Sequence, residues 1–169
     1  VDIAPSLVIT AKSINRDAGE ARAEKGISVV TVPENRWDRV DIKTVGLLPN
    51  VLAREAAKRQ GAQEAVFVDE AGHIKEGAAT NVWIVTKDGT LVTRPAEHGI
   101  LRGVTRTTVM DLASKLGLAV EERSFSVEEA RSAREMFITA ATTLVMPVVA
   151  MDGQTIGNGH PGLIAPQLR

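Results

Sequence analysis

Residues 36–57 read RWDRVDIKTVGLLPNVLAREAA. One lysine, Lys43, stands between Val40–Ile42 and the apolar run Val45–Leu48, just ahead of a helix-like segment. Two readings compete. In the first, Lys43 lays its stem along the core and keeps its amine in water. In the second, an apolar pocket disfavours the ammonium form, and the neutral amine is free to attack a carbonyl. Lys43 alone does not decide between them; the rest of the chain must supply a partner.

Working outward, the apolar spacing predicts a helix over Pro49–Arg59, with Val51, Leu52 and Ala56 on one face and a stop near Gly61. Two more helices are expected. Thr105–Leu116 carries Val109, Leu112 and Leu116 and ends at Gly117. Val127–Ala133 is opened by Ser126 and Glu129 at capping-box spacing. Runs rich in Val and Ile predict strands at Leu7–Ile14, Ile27–Val32, Ala65–Asp69, Val82–Thr86, Leu91–Thr93, Leu118–Phe125, Met136–Thr139 and Val145–Met151. TKDGTL (86–91) places Asp-Gly between two of them, the mark of a β-hairpin. Strands and helices mix without strict alternation, which points to an α+β fold: a mixed sheet with packed helices.

Composition narrows the function classes. The 169 residues carry 20 Lys and Arg against 21 Asp and Glu, so no basic field draws in nucleic acid or a membrane surface. There is no cysteine, hence neither a disulfide framework nor a thiolate metal site. No apolar run is long enough to span a bilayer and no signal peptide is evident, so a cytoplasmic protein is expected. Two Trp, three Phe and no Tyr leave little for stacking on bases. His73, His98 and His160 show no metal spacing with carboxylates, and no metal is expected. Arg36 and Arg39 are read as fixing their strand by pairing with Asp38 or Asp41.

Two further stretches supply partners for Lys43. In IKEGAATNVWIV (74–85), Glu76 precedes Gly77 and two alanines. It reads either as an exposed turn residue or as a carboxylate aimed into a pocket, with small neighbours allowing close backbone approach. A carboxylate facing a pyridine nitrogen keeps that nitrogen protonated. In GILRGVTRTTVMDLA (99–113), Gly103 and Val104 lead into Thr105 at a helix start. Free N–H groups, a hydroxyl and a positive helix end suit a phosphate, although an ordinary N-cap reads the same way.

The order of DIKTVGLLPNVLA, EGAATNVWIV, GILRGVTR, EMFITAATTLVMPV and MDGQTIGNGHPG resembles the fold-type IV pyridoxal-phosphate enzymes. That family holds D-amino-acid aminotransferases, branched-chain aminotransferases, R-selective amine transaminases and aminodeoxychorismate lyase. The resemblance covers nearly the whole chain and implies a pseudo-barrel large domain over residues 1–169. It also implies a cofactor, pyridoxal 5'-phosphate, and places Lys43 at the Schiff-base lysine and Glu76 at the partner of the pyridine nitrogen. Leu101 matches the leucine against one ring face. Gly103, Val104 and Thr105 match the phosphate loop, and Ala140 and Ala141 match a second phosphate turn. That turn usually carries a hydroxyl at the position of Ala141, which leaves a backbone N–H there, or Thr142 beside it.

By the same resemblance, a smaller N-terminal domain and a final helix are expected outside residues 1–169, the residues for the substrate carboxylate among them. The expected activity is transamination from an amino acid, a D-amino acid first, to a 2-oxo acid, by a homodimer. Leu48 stands where branched-chain members carry tyrosine. Leu144 stands where the D-amino-acid group often has glutamate, and Met146-Pro147 is similar to the amine transaminases. A branched-chain or R-amine transaminase, a lyase of the same fold and an inactive dimerising fragment remain the alternatives.

Overall fold

A computed structural model describes residues 3–4, 6–97 and 99–169; His98 lies outside them. Among these residues one sheet of nine strands carries the chain. The strands are β1 (Ile27–Pro33), β2 (Glu64–Val68), β3 (Ile74–Gly77), β4 (Asn81–Val85), β5 (Leu91–Thr93), β6 (Val120–Glu122), β7 (Glu135–Ala140), β8 (Leu144–Met151) and β9 (Gln154–Thr155). Their order is β3-β2-β1-β8-β7-β4-β5-β6, with β9 beside β8. β1 runs parallel to β2 and β8, and β5 runs parallel to β6; the other pairs are antiparallel.

The parallel pairs need crossovers, and helices supply them. α2 (Leu48–Arg59) joins β1 to β2, and α3 (Val104–Lys115) joins β5 to β6. The mixed sheet and the positions of α2 and α3 are those expected, to within a residue at their ends. So is the hairpin, β4 pairing with β5 across Asp88-Gly89. Ser126 caps α4 (Val127–Ser132) by accepting from the Glu129 N–H at 3.0 Å.

The ends of the sheet meet. Just past β6, the Phe125 carbonyl accepts from the Ile74 N–H at 3.0 Å, and His73 bridges Ser126. Two-residue alternation then sorts the side chains. Val82 and Ile84 of β4 face inward with Val29, Val66, Ile74, Phe125, Ile138 and Met146. Trp83 and Val85 face outward, under Val109 and Ala113 of α3, and the Trp83 ring stacks on Phe137 with centroids 5.6 Å apart. Ala65 and Phe67 of β2 pack beneath Ala53 and Ala57 of α2. The closed sheet with helices outside is the pseudo-barrel form. No helix among the described residues is long and apolar enough to cross a membrane.

Three expectations are corrected. Leu7–Ile14 forms no strand and is exposed throughout, with Leu7, Val8 and Ile9 each more than four-fifths accessible. β-branched content makes a strand only where a ladder and a buried face exist, and this segment has neither. It leads instead into an unexpected helix, α1 (Arg16–Lys25), capped by Asn15 accepting from the Ala18 N–H at 3.0 Å. α2 buries Ala53 and Ala57, not Val51 and Leu52, which stay exposed. The tight face of this helix on the sheet is the one with small side chains. Finally, Arg39 pairs with Asp41 as expected, but Arg36 turns away to Glu34 and Glu76.

Candidate active site

Glu76 is the centre of one end of the barrel. It lies on β3, is 5 % exposed, and its carboxylate is held by oriented donors. Arg36 Nη1 donates to Oε1 at 2.6 Å. Oε2 accepts from Asn81 Nδ2 at 3.2 Å and from the Leu101 N–H at 3.0 Å. Glu76 is therefore a buried, hydrogen-bonded carboxylate and not an exposed turn residue. A carboxylate offers about four acceptor positions. Three are filled, which leaves one, on Oε1. Burial is the largest influence on this carboxyl and lifts it above the ordinary carboxylate range; Arg36 pulls against that rise, as does the Leu101 N–H.

Asn81 ties the neighbouring loop to Glu76. The same Nδ2 donates to the Leu101 carbonyl at 2.8 Å, so Leu101 is held by both its N–H and its C=O. A Cβ on Gly103 would sit 2.2 Å from Asn81 Oδ1. At φ −65° the backbone asks for no glycine here; the approach of Asn81 does. Gly103→Ala is expected to push Asn81 off both partners and to destabilise the chain by about 2 kcal/mol, the combined cost of an overpacked contact and a broken buried hydrogen bond. Urea unfolding measures it, and an alanine variant as stable as its parent would show that Asn81 yields freely.

Gly103 is also the N-cap of α3 and provides no side-chain cap. The helix starts at Val104, so Thr105 is not the N-cap but lies in the first turn. The leading N–H groups of α3 have no side-chain cap, which leaves donors and the positive helix end facing outward. The turn at Ala140 and Ala141 joins β7 to β8 at this same end, because Thr139 pairs with Asn81. Ala141 and Thr142 are exposed. The residue after the turn, Leu144, has a left-handed φ of 56°, a strained setting for a branched side chain.

The structure thus brings Glu76, Leu101, Gly103, Val104, Thr105, Ala140 and Ala141 to one end of the sheet. Lys43 is handled differently. It lies in the loop before α2 and is exposed, as are Ile42, Val45, Leu47 and Leu48 around it. The apolar enclosure expected from the sequence does not form, because no described element of this chain packs over residues 42–48. The loop is nonetheless anchored near Glu76. Asn50 in the first turn of α2 donates to the Ala78 carbonyl at 2.7 Å, in the turn that follows Glu76.

Asn81, Thr80 and Glu64 escaped the sequence reading, and so did the partner of Arg36. Asn81 and Arg36 orient Glu76. Thr80 presents a buried hydroxyl with no partner among the described residues, in the turn where a Cβ on Gly77 would come within 2.0 Å of it. Glu64, buried at the start of β2, accepts from the Ala65 N–H at 2.9 Å, and burial raises its carboxyl. Asn81 had a signal, its place at the head of a strand just past Glu76. Arg36 and Glu64 had none. Arg36 finds Glu76 40 residues along the chain, and Glu64 faces the turn at Ala78 and Ala79 from the neighbouring strand. His73 lies in the turn between β2 and β3, with Nδ1 3.6 Å from Asp69 Oδ1, and His160 is exposed.

The sequence model of the family described as Amino-transferase class IV matches residues 2–151. D-Alanine aminotransferase of Bacillus licheniformis is 38 % identical over 154 residues, covering 91 % of this chain and 54 % of the relative. The D-alanine aminotransferase of Listeria innocua is 37 % identical over 161 residues, 95 % of this chain and 55 % of the relative. Among solved structures, the branched-chain aminotransferase of the archaeon Thermoproteus uzoniensis with norvaline superposes with a TM-score of 0.76 at 31 % identity, over 86 % of this chain and 49 % of that one. The Escherichia coli branched-chain enzyme also gives 0.76 at 31 %, over 87 % and 51 %. The chain spans about half the length of the curated relatives it matches.

Proposed function

Because the chain belongs to the class IV aminotransferases, we propose that the complete protein moves an amino group from a D-amino acid, D-alanine first, to a 2-oxo acid with pyridoxal 5'-phosphate as cofactor. One observation carries the reading: Glu76 is buried, held by three donors, and keeps a single acceptor position on Oε1. That is what a protonated pyridine nitrogen requires of its partner. The residues present fit the group. The uncapped start of α3 suits a phosphate, and Gly103, in close approach to Asn81, leaves no side chain to fill the space.

Lys43 would hold the cofactor covalently and Glu76 its ring nitrogen. Leu101, its backbone fixed by Glu76 and Asn81, would lie against the ring. Gly103, Val104, Thr105, Ala140 and Ala141 would hold the phosphate. Bound there, pyridoxal phosphate supplies an electron sink for charge developing at the substrate's α-carbon. The Lys43 amine would move the proton at the substrate's α-carbon. Asn81 and Arg36 keep Glu76 from turning while this happens.

The exposed position of Lys43 bears on assembly. Trp37, Ile42, Val45, Leu47, Leu48, Val51 and Leu52 are each about half exposed or more and recur along residues 37–52. An apolar surface of this kind marks an interaction face. We assign it to a homodimer contact that shields Lys43; the mass in solution tests this, and a monomer at assay concentration rejects it.

A second reading, a branched-chain L-amino-acid enzyme, draws on the solved structures at 31 % identity. The D-alanine aminotransferases are more similar in sequence, and Leu48 stands where the branched-chain members carry tyrosine. Specificity is a difference of transition-state binding, so rates for competing substrates decide it. Spectral half-reactions with D-alanine, L-leucine and R-phenylethylamine are expected to be fastest with D-alanine. L-leucine reacting fastest by a wide margin would overturn the D-amino-acid assignment and leave the chemistry at Lys43 intact.

A further inference from the structure

Four charged side chains meet in a line behind the candidate site. Lys75 of β3 lies 3.5 Å from Glu34, at the end of β1. Glu34 grips Arg36 through a two-point fork, Nε to Oε1 at 2.9 Å and Nη2 to Oε2 at 2.6 Å. It also accepts from the Arg36 N–H at 3.0 Å. Arg36 then passes its remaining arm, Nη1, to Glu76 Oε1 at 2.6 Å. The guanidinium carbon sits 4.2 Å from the centre of the Phe67 ring, so one face of the fork is closed by an aromatic plane. Arg36 and Glu76 side chains are each 6 % exposed.

This arrangement does more than neutralise a buried acid. Arg36 is planar, and the Glu34 fork and Phe67 fix that plane, so Nη1 reaches Glu76 from one direction only. A lysine has no fork and could not hold Glu34 in this planar two-point grip while reaching Glu76. The approach fixes which Glu76 oxygen is occupied and how much room remains on it. The charges that face Glu76 are Arg36 in the loop after β1, Glu34 on the far side of that guanidinium and Lys75 beyond it; Asn81 of β4 and the Leu101 N–H add uncharged donors. Burial and Glu34 push the Glu76 carboxyl up, and the Arg36 cation in contact with it pulls it down.

We infer that Arg36 is a positioning residue that keeps Glu76 anionic and fixed in one orientation, so that its last acceptor position on Oε1 presents to a cationic N–H group of the protonated-pyridine class. The ligand class rests on the proposed cofactor chemistry; the hold of Arg36 on Glu76 does not. In this role Arg36 would act only through Glu76, the acid its free arm reaches. An alternative account makes Arg36 a structural pin for the end of β1 and leaves Asn81 and the Leu101 N–H to keep Glu76 ionised; it predicts lost stability with little change in how Glu76 titrates.

The two accounts part on titration. Carboxyl-labelled glutamate in the 169-residue chain is titrated by carbon NMR without cofactor, and the Glu76 signal is identified by its absence in Glu76→Gln. In Arg36→Met the Glu76 midpoint is expected to move up by more than about one pH unit, roughly tenfold in proton affinity. Arg36→Lys is expected to fall between parent and Arg36→Met. Should Arg36→Met fail to fold, Arg36→Lys alone decides. A folded variant whose Glu76 titrates as in the parent overturns the inference. Titration with pyridoxal phosphate is a separate arm, in which Arg36→Lys is expected to bind about tenfold more weakly than the parent, the loss of roughly one charge-assisted contact. A complete protein that binds no pyridoxal phosphate while the NMR midpoint still moves refutes the cofactor reading and upholds the hold of Arg36 on Glu76.

Discussion

Lys43→Ala is expected to remove turnover by at least about a thousandfold while leaving the fold and its stability as they were. In the proposed reaction the loss is large because one amine would carry two duties, covalent attachment of the cofactor and movement of the α-proton, and a positioned acid–base group alone contributes about 10²–10⁴ in rate. The stability is spared because Lys43 is exposed in a loop, and surface substitutions away from buried features stay within about 0.5 kcal/mol. The two halves of the expectation check each other. Borohydride reduction of the protein with pyridoxal phosphate, followed by peptide mapping, places the label. A pyridoxyl group on Lys75 or any other lysine would sink the assignment, and so would a Lys43→Ala protein that turns over at the parent rate.

That split between chemistry and stability explains which parts of the molecule were legible in the sequence. Local signals held. Asp88-Gly89 made the hairpin, Ser126 with Glu129 made the cap of α4, and β4 alternated cleanly between the two cores. These depend on residues a few positions apart. Contacts across the sheet were not legible. Arg36 was read against its neighbour in sequence, Asp38, yet its partner Glu76 is brought beside it only when β3 pairs with β2 and β2 with β1. Composition also misled where burial was assumed rather than shown. Leu7–Ile14 has the residues of a strand and no face to cover. Val51 and Leu52 are among the largest apolar residues of α2, but Ala53 and Ala57 are the ones that let the helix approach Phe67 closely. The apolar neighbours of Lys43 are present in sequence but open in space. Glu76 is the reverse: its sequence setting is ambiguous, and the barrel end buries it.

Glu76→Ala is expected to lower stability by about 3 kcal/mol as well as to reduce activity, in contrast to Lys43→Ala; removing one partner of a buried ion pair leaves the other charge stranded, a loss of about 3–5 kcal/mol. The lower end applies because Glu34 still holds two arms of Arg36. The same truncation frees Asn81 Nδ2 and the Leu101 N–H, which share Oε2, so the loop that leads to Gly103 also loosens. Glu76→Gln separates the two effects. The amide keeps the shape and an oxygen acceptor, so more of the stability returns and cofactor binding persists. Its neutral head no longer holds a ring nitrogen protonated, so the electron sink weakens and turnover stays low. Urea unfolding and D-alanine half-reactions on parent, Glu76→Gln and Glu76→Ala measure both. A Glu76→Gln protein reacting at the parent rate would reduce Glu76 to a structural acid of the barrel end. A Glu76→Ala protein as stable as the parent would show that Glu34 alone satisfies Arg36, and that the Arg36–Glu76 pair contributes nothing to the fold.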